Sequence, residues 1–172
     1  GTFSKIVKAF QTHPDYIVVH GDRILINEFD EVTGWCCLPP FDPKTFTYNV
    51  CSETAFWQRA AMQKVGQLNA SLQFAIDLEF FGRLYKQGKF LKLNEYLGYF
   101  RCYSEHKSST MTHIGKEEAS REWKRLFNSE HINYQFRYKQ NLLDRLRLST
   151  ELIREPVILG FPYMIHRFLP KR

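Results

Sequence analysis

No apolar run reaches about eighteen residues, the length a membrane-crossing helix needs. The N-terminal GTFSKIVKAF has no apolar core followed by small residues, so it does not read as a secretory signal. Cysteine is scarce. The four, at 36, 37, 51 and 102, form no CxxC pair and no zinc-ligand spacing, which argues against a zinc module. They read as reduced core or subsurface thiols of a cytoplasmic protein rather than as a disulfide framework. Internal repeats and low-complexity tracts are also missing, which excludes solenoids and argues against long disordered segments.

What is present fits one folded domain. The 172 residues suffice to bury a core, and a 44% hydrophobic, 16% aromatic composition exceeds what disordered chains carry. Fifteen Phe and nine Tyr predict a core or groove built largely of rings. The net charge of +6 is concentrated at one end. Residues 137–172 hold eight Lys/Arg against three acids, leaving the first 136 residues almost neutral. An electrostatic partner belongs to that tail.

Phe3, Ile6, Val7 and Phe10 recur at helical spacing, and His13–Pro14 ends that helix. YIVVHGD (16–22) predicts a buried strand closed by Gly21, and RILINEF a second strand or the return arm of a hairpin. EVTGW reads as a turn and CLPPFDPK, with three prolines, as a loop. A short helix spans Arg59 to Val65 with Gly66 as its stop, and another runs from about residue 77 to 87 with Gly88 stopping it likewise. FLKLNEYLGYFRCY predicts one or two strands. Amphipathic helices follow in GKEEASREWKRLFNSEH and YQFRYKQNLLDRLRLSTELI. The order predicts an α/β or α+β chain with helices gathering at the C-terminus.

Two carboxylates stand out in LQFAIDLEFFGRLYKQGKF. Glu79 precedes Arg83 by four residues, acid first, the favourable order for a solvated helical ion pair. Asp77 has Phe80, Phe81 and Leu84 on its face. It reads either as a helix N-cap, stabilising by about 1 kcal/mol, or as a general base at the rim of a pocket.

The ordered set Phe56, Arg59, Val65–Gly66, Asp77, Glu79, Arg83, Phe100–Arg101 and Lys107–Ser108 resembles the second half of the family-two glycosyltransferases, the inverting nucleotide-sugar enzymes of GT-A fold. TFSKIVKAFQTHPDYIVVHGD is similar to the helix and strand that follow that family's Asp-x-Asp metal motif. The likeness covers residues 1–110. It implies a partial GT-A-like α/β fold, a mixed sheet flanked by helices. It also implies a domain boundary that leaves residues 111–172 as a helical, basic C-terminal extension.

The resemblance implies that Asp77 removes the proton from an acceptor hydroxyl, which then displaces the nucleoside diphosphate from the anomeric carbon. Trp57 would offer a sugar-stacking face, and Arg59, Arg101 and His106 would contact donor or acceptor. The family often has a histidine two residues after the Phe-Arg pair, where this chain has Tyr103. No Asp-x-Asp motif occurs here, so the Mg²⁺ or Mn²⁺ expected in the full-length protein would be held by a missing nucleotide-binding half. Strands deprived of that half would have open edges inviting self-association. The partners implied are a nucleotide-sugar donor and a saccharide or lipid-linked acceptor, as in polysaccharide biosynthesis.

For the tail, a helix packed on the domain competes with an interfacial segment on anionic lipid, which would place a cytoplasmic enzyme peripherally at the membrane. The alternative function is a non-enzymatic binding or scaffold module. Nucleic acid is not an expected partner, because aromatics are not interleaved with the basic run.

Overall fold

The β-branched run at Tyr16 opens the central strand of the structure, a computed structural model describing residues 1–43, 50–102 and 112–129. Helix α1 (Thr2–Thr12) leads into β1 (Tyr16–Ile26) and β2 (Val32–Cys36). A single 3₁₀ turn (Ser52–Thr54) precedes β3 (Ala55–Trp57) and α2 (Arg59–Val65). Then come α3 (Ile76–Tyr85), β4 (Lys89–Arg101) and α4 (Thr112–Phe127).

The sheet is mixed. β4 runs parallel to β1 along its whole length, from Tyr16↔Lys89 to Ile26↔Arg101. The other edge of β1 is shared in tandem. β3 pairs antiparallel with Val18–His20, and β2 pairs antiparallel with Arg23–Ile26. A parallel pair needs a long crossover, here everything from β2 to α3. Side chains alternate between faces along β1. Val19 packs with Ile6 and Ala9 of α1 and Leu97 of β4. Val18 faces the opposite way, into a cluster of Phe41, Phe80, Phe81, Leu84, Ala119 and Trp123. Helices therefore cover both faces, as predicted for an α/β chain.

Several local expectations give way to long-range contacts. Gly21 does not close a strand, because β1 continues through it. A Cβ there would stand 2.5 Å from Leu97 Cγ and 2.6 Å from the Glu95 carbonyl, so the glycine admits the close approach of β4. EVTGW is not a turn but mostly β2. The turn lies just before it, where Asn27 Oδ1 accepts the N–H groups of Phe29 and Glu31 and Asp30 takes φ 63°. In α1, Ile6 and Ala9 are the buried pair, while Phe3 and Val7 remain 76% and 56% exposed. Gly66 stops α2 with φ 82°, as expected. Gly88 does not stop α3. That helix ends at Tyr85, with Lys86 still in the right-handed region, and Gly88 lies where a Cβ would press on the Ile17 side chain.

Beyond residue 110 the described chain adds to the same core. Trp123 of α4 is fully buried in the same cluster as Val18 and Phe81. Gly115 lets the start of α4 touch α3's lead-in, since a Cβ there would lie 2.5 Å from the Phe74 ring. The second amphipathic helix and the basic tail, residues 137–172, lie outside the described residues.

Candidate functional site

Asp77 is the second residue of α3 and is half-buried. Its Oδ1 accepts the N–H of Leu78 at 2.8 Å, one of the donors a helix start leaves without an intrahelical partner. It is not the N-cap. That position belongs to Ala75, which has no side chain able to accept. The segment leading into the helix is held from another helix. The Glu118 carboxylate of α4 accepts N–H bonds from Gln73 at 2.9 Å, Phe74 at 2.8 Å and Ala75 at 3.0 Å. Burial opposes charge on Glu118, yet these backbone bonds and the nearby Arg121 hold its carboxyl below the usual carboxylate range.

Glu79 departs from the solvated ion pair predicted for it. Its side chain is only 4% exposed. Arg83 Nε reaches Glu79 Oε1 at 2.8 Å, and Arg125 Nη2 of α4 reaches the same oxygen at 2.8 Å. Arg83 also donates to the carbonyls of Val65 and Gln67, fastening α3 to the end of α2. Arg125 goes on to Glu122 at 2.7 Å. These pairs lock α3, and Asp77 with it, to α2 and α4.

Trp57 packs edge-on against Phe80 and Phe81, with centroids 5.2 and 5.9 Å away. Those phenylalanines are the i+3 and i+4 neighbours of Asp77 along α3. The Trp57 ring contacts are with the core. Arg59 is exposed at the first turn of α2. Arg101 is committed elsewhere, donating to the carbonyls of Asn27 and Glu28 and pairing with Asp30, which clamps the β1–β2 turn. His106, Tyr103, Lys107 and Ser108 lie outside the described residues. Of the predicted site residues, the structure sets Trp57 against two phenylalanines of α3, the helix that carries Asp77, and holds Arg101 at the β1–β2 turn.

Cys51 lies beside this region. Burial pushes its thiol well up, and the charges of Glu53, Cys36 and Asp77 push the same way against Arg23. Cys36 is buried and pushed up likewise, chiefly by burial. Both are therefore poor nucleophiles.

A second polar group escaped the sequence reading. Lys92 Nζ meets Asp22 Oδ1 at 2.6 Å, with side chains 5% and 1% exposed. The same Asp22 oxygen accepts the Leu38 N–H at 2.8 Å, pinning the proline-rich loop to the sheet. Next to them His20 is wholly buried, and neither ring nitrogen has a partner among the described residues. Burial first, and the Lys92 charge second, lower its pKa to about 3. The sequence carried no signal for it: Leu91, Lys92 and Leu93 alternate as in a strand with one solvated face, which places the lysine outward.

Among the described residues no group of three or more His, Cys, Asp or Glu is placed to hold a metal ion. These residues do not fit the divalent ion that the resemblance implies. Among the same residues no helix is long and apolar enough to cross a membrane. No protein-family model matches the chain, and no curated protein matches it.

Proposed function

We propose that this chain is the acceptor-side part of an inverting, nucleotide-sugar-dependent glycosyltransferase of GT-A type, with Asp77 as its general base. One observation carries the reading. Asp77 is a half-buried carboxylate in the first turn of α3, with one oxygen on the Leu78 N–H, while Glu118 holds the backbone that leads into the helix. The order of elements supports it too. β3 ends in Trp57, α2 stops at Gly66, α3 carries Asp77 in its first turn, and β4 ends in Phe100–Arg101. A mixed sheet with helices on both faces is the layering such a fold requires.

In this mechanism Asp77 takes the proton of the acceptor hydroxyl as the oxygen attacks the anomeric carbon. The bond to the nucleoside diphosphate breaks on the opposite side, and the centre inverts. A hydroxyl is a poor nucleophile, and a positioned base is worth about 10²–10⁴ in rate. Trp57, at the end of β3, packs against Phe80 and Phe81 and so backs the helix that holds the base. The test is Asp77→Asn in protein that includes a nucleotide-binding half, assayed with a panel of uridine- and guanosine-diphosphate sugars. Turnover falls by about 10²–10⁴ with the fold intact. Near-normal transfer would overturn the assignment.

A further inference from the structure

Asp77 needs a fixed direction to act on a proton, and the Leu78 N–H that it accepts at 2.8 Å gives one only while the first turn of α3 is itself held. Ala75 at the N-cap cannot accept a hydrogen bond through its side chain. The three residues leading into α3 are instead gathered by one carboxylate 43 residues further on. Glu118 bonds the N–H groups of Gln73, Phe74 and Ala75, and Ala75 then accepts the first intrahelical bond of α3, from Glu79 at 3.0 Å. Asp77 lies two residues beyond the last N–H that Glu118 holds. Gly115, one turn before Glu118 on α4, gives the clearance that lets α4 come this close to Phe74.

We propose that Glu118 is the positioning residue for Asp77: it fixes the lead-in of α3 from outside the helix, and thereby the direction of the Asp77 carboxylate. The inference rests on the reading of Asp77 as the base. α4 is thereby an active part of the site, although the side chain that reaches α3 touches neither substrate nor reacting atom. Helix starts fray when their N–H groups lack acceptors. With Glu118 removed, the first turn of α3 opens while its middle stays locked by Glu79, Arg83 and Arg125.

The experiment is Glu118→Gln in the full chain, read by NMR. The amides of Gln73, Phe74 and Ala75 are expected to lose protection from exchange by about tenfold or more. The Leu78 amide, whose acceptor is Asp77, is expected to follow, and the Asp77 carboxyl ¹³C resonance to move. Amides of Val18 and Val19 in the sheet are expected to stay protected. Loss of protection confined to 73–75, with Leu78 and the Asp77 resonance unchanged, would overturn the proposal and reduce Glu118 to a cap. If the glutamine variant does not fold, Glu118→Asp keeps the charge but shortens the reach, and the same resonances decide.

A kinetic arm separates this inference from the one beneath it. In transfer-competent protein, Glu118→Gln lowers kcat at unchanged KM. The double variant Asp77→Asn/Glu118→Gln is no slower than Asp77→Asn alone, because Glu118 acts only through Asp77. Additive losses would overturn the positioning role. If Asp77→Asn alone leaves transfer intact, the base reading fails, while the NMR arm still reports whether Glu118 directs Asp77.

Discussion

Acid should unfold this protein early, and His20 sets the threshold. The imidazole is wholly buried between Phe90 and the Lys92–Asp22 pair, with no partner for either ring nitrogen among the described residues. Its pKa of about 3 in the fold compares with 6.5 for a free histidine. A depressed histidine pKa means that the unfolded chain binds a proton below pH 6.5 which the native chain refuses until pH 3. Stability is therefore full above pH 6.5 and falls as pH drops toward 3, by about 1.4 kcal/mol per pH unit. At pH 4.5, two units below the free value, the loss from this one group is about 2.7 kcal/mol. That is a large share of the ~5–15 kcal/mol that holds a domain together. Urea unfolding between pH 7 and 4.5 measures it, with His20→Leu as the reference. Glu118 and Glu122, whose carboxyls are held low, begin to add their own losses near the foot of this window, and the reference variant carries the same losses, so the difference isolates the histidine. The wild-type curve should fall about 2.7 kcal/mol further than that of the variant. Parallel curves would refute a buried, neutral His20.

Lys92→Met removes the ammonium 2.6 Å from the buried Asp22 carboxylate and costs about 3–5 kcal/mol in urea unfolding. Adding Asp22→Asn recovers most of that, because the amide oxygen still accepts the Leu38 N–H. Gly115→Ala puts a methyl group 2.5–2.8 Å from the Phe74 ring. It should destabilise by about 1–3 kcal/mol, seen as a lower Tm, by forcing α4 away from α3.

Features set within a few residues were legible in the sequence. Gly66 ends α2 because its left-handed backbone is a local need, met by the residue itself. The proline-rich loop and the strand ending in Phe100–Arg101 were likewise local. What escaped was set by distant partners. Gly21 looks like punctuation, but its lack of a Cβ serves β4, more than seventy residues away, whose Leu97 side chain and Glu95 carbonyl lie where that Cβ would stand. Gly88 was misread for the same reason, with Ile17 as the neighbour. In α1 the apolar face was visible, but which side of it meets the sheet depends on Val19 and Leu97, so Ile6 and Ala9 are covered while Phe3 and Val7 are not.

The carboxylates of α3 and α4 carry the same lesson into the site. Spacing alone identified the Glu79–Arg83 pair, but its burial comes from Arg125 and the α4 surface, which no helical period along α3 reveals. Spacing also made Asp77 a candidate cap, and it does take the Leu78 N–H, but the backbone before the helix is held by Glu118, which arrives from α4. That division of labour is what makes Asp77→Asn an informative substitution. The amide oxygen can still accept the Leu78 N–H, and the lead-in of α3 is held by a different residue. The change deletes the basic carboxylate and little else. A loss of transfer in that variant therefore reports on proton removal, not on a helix that has come undone.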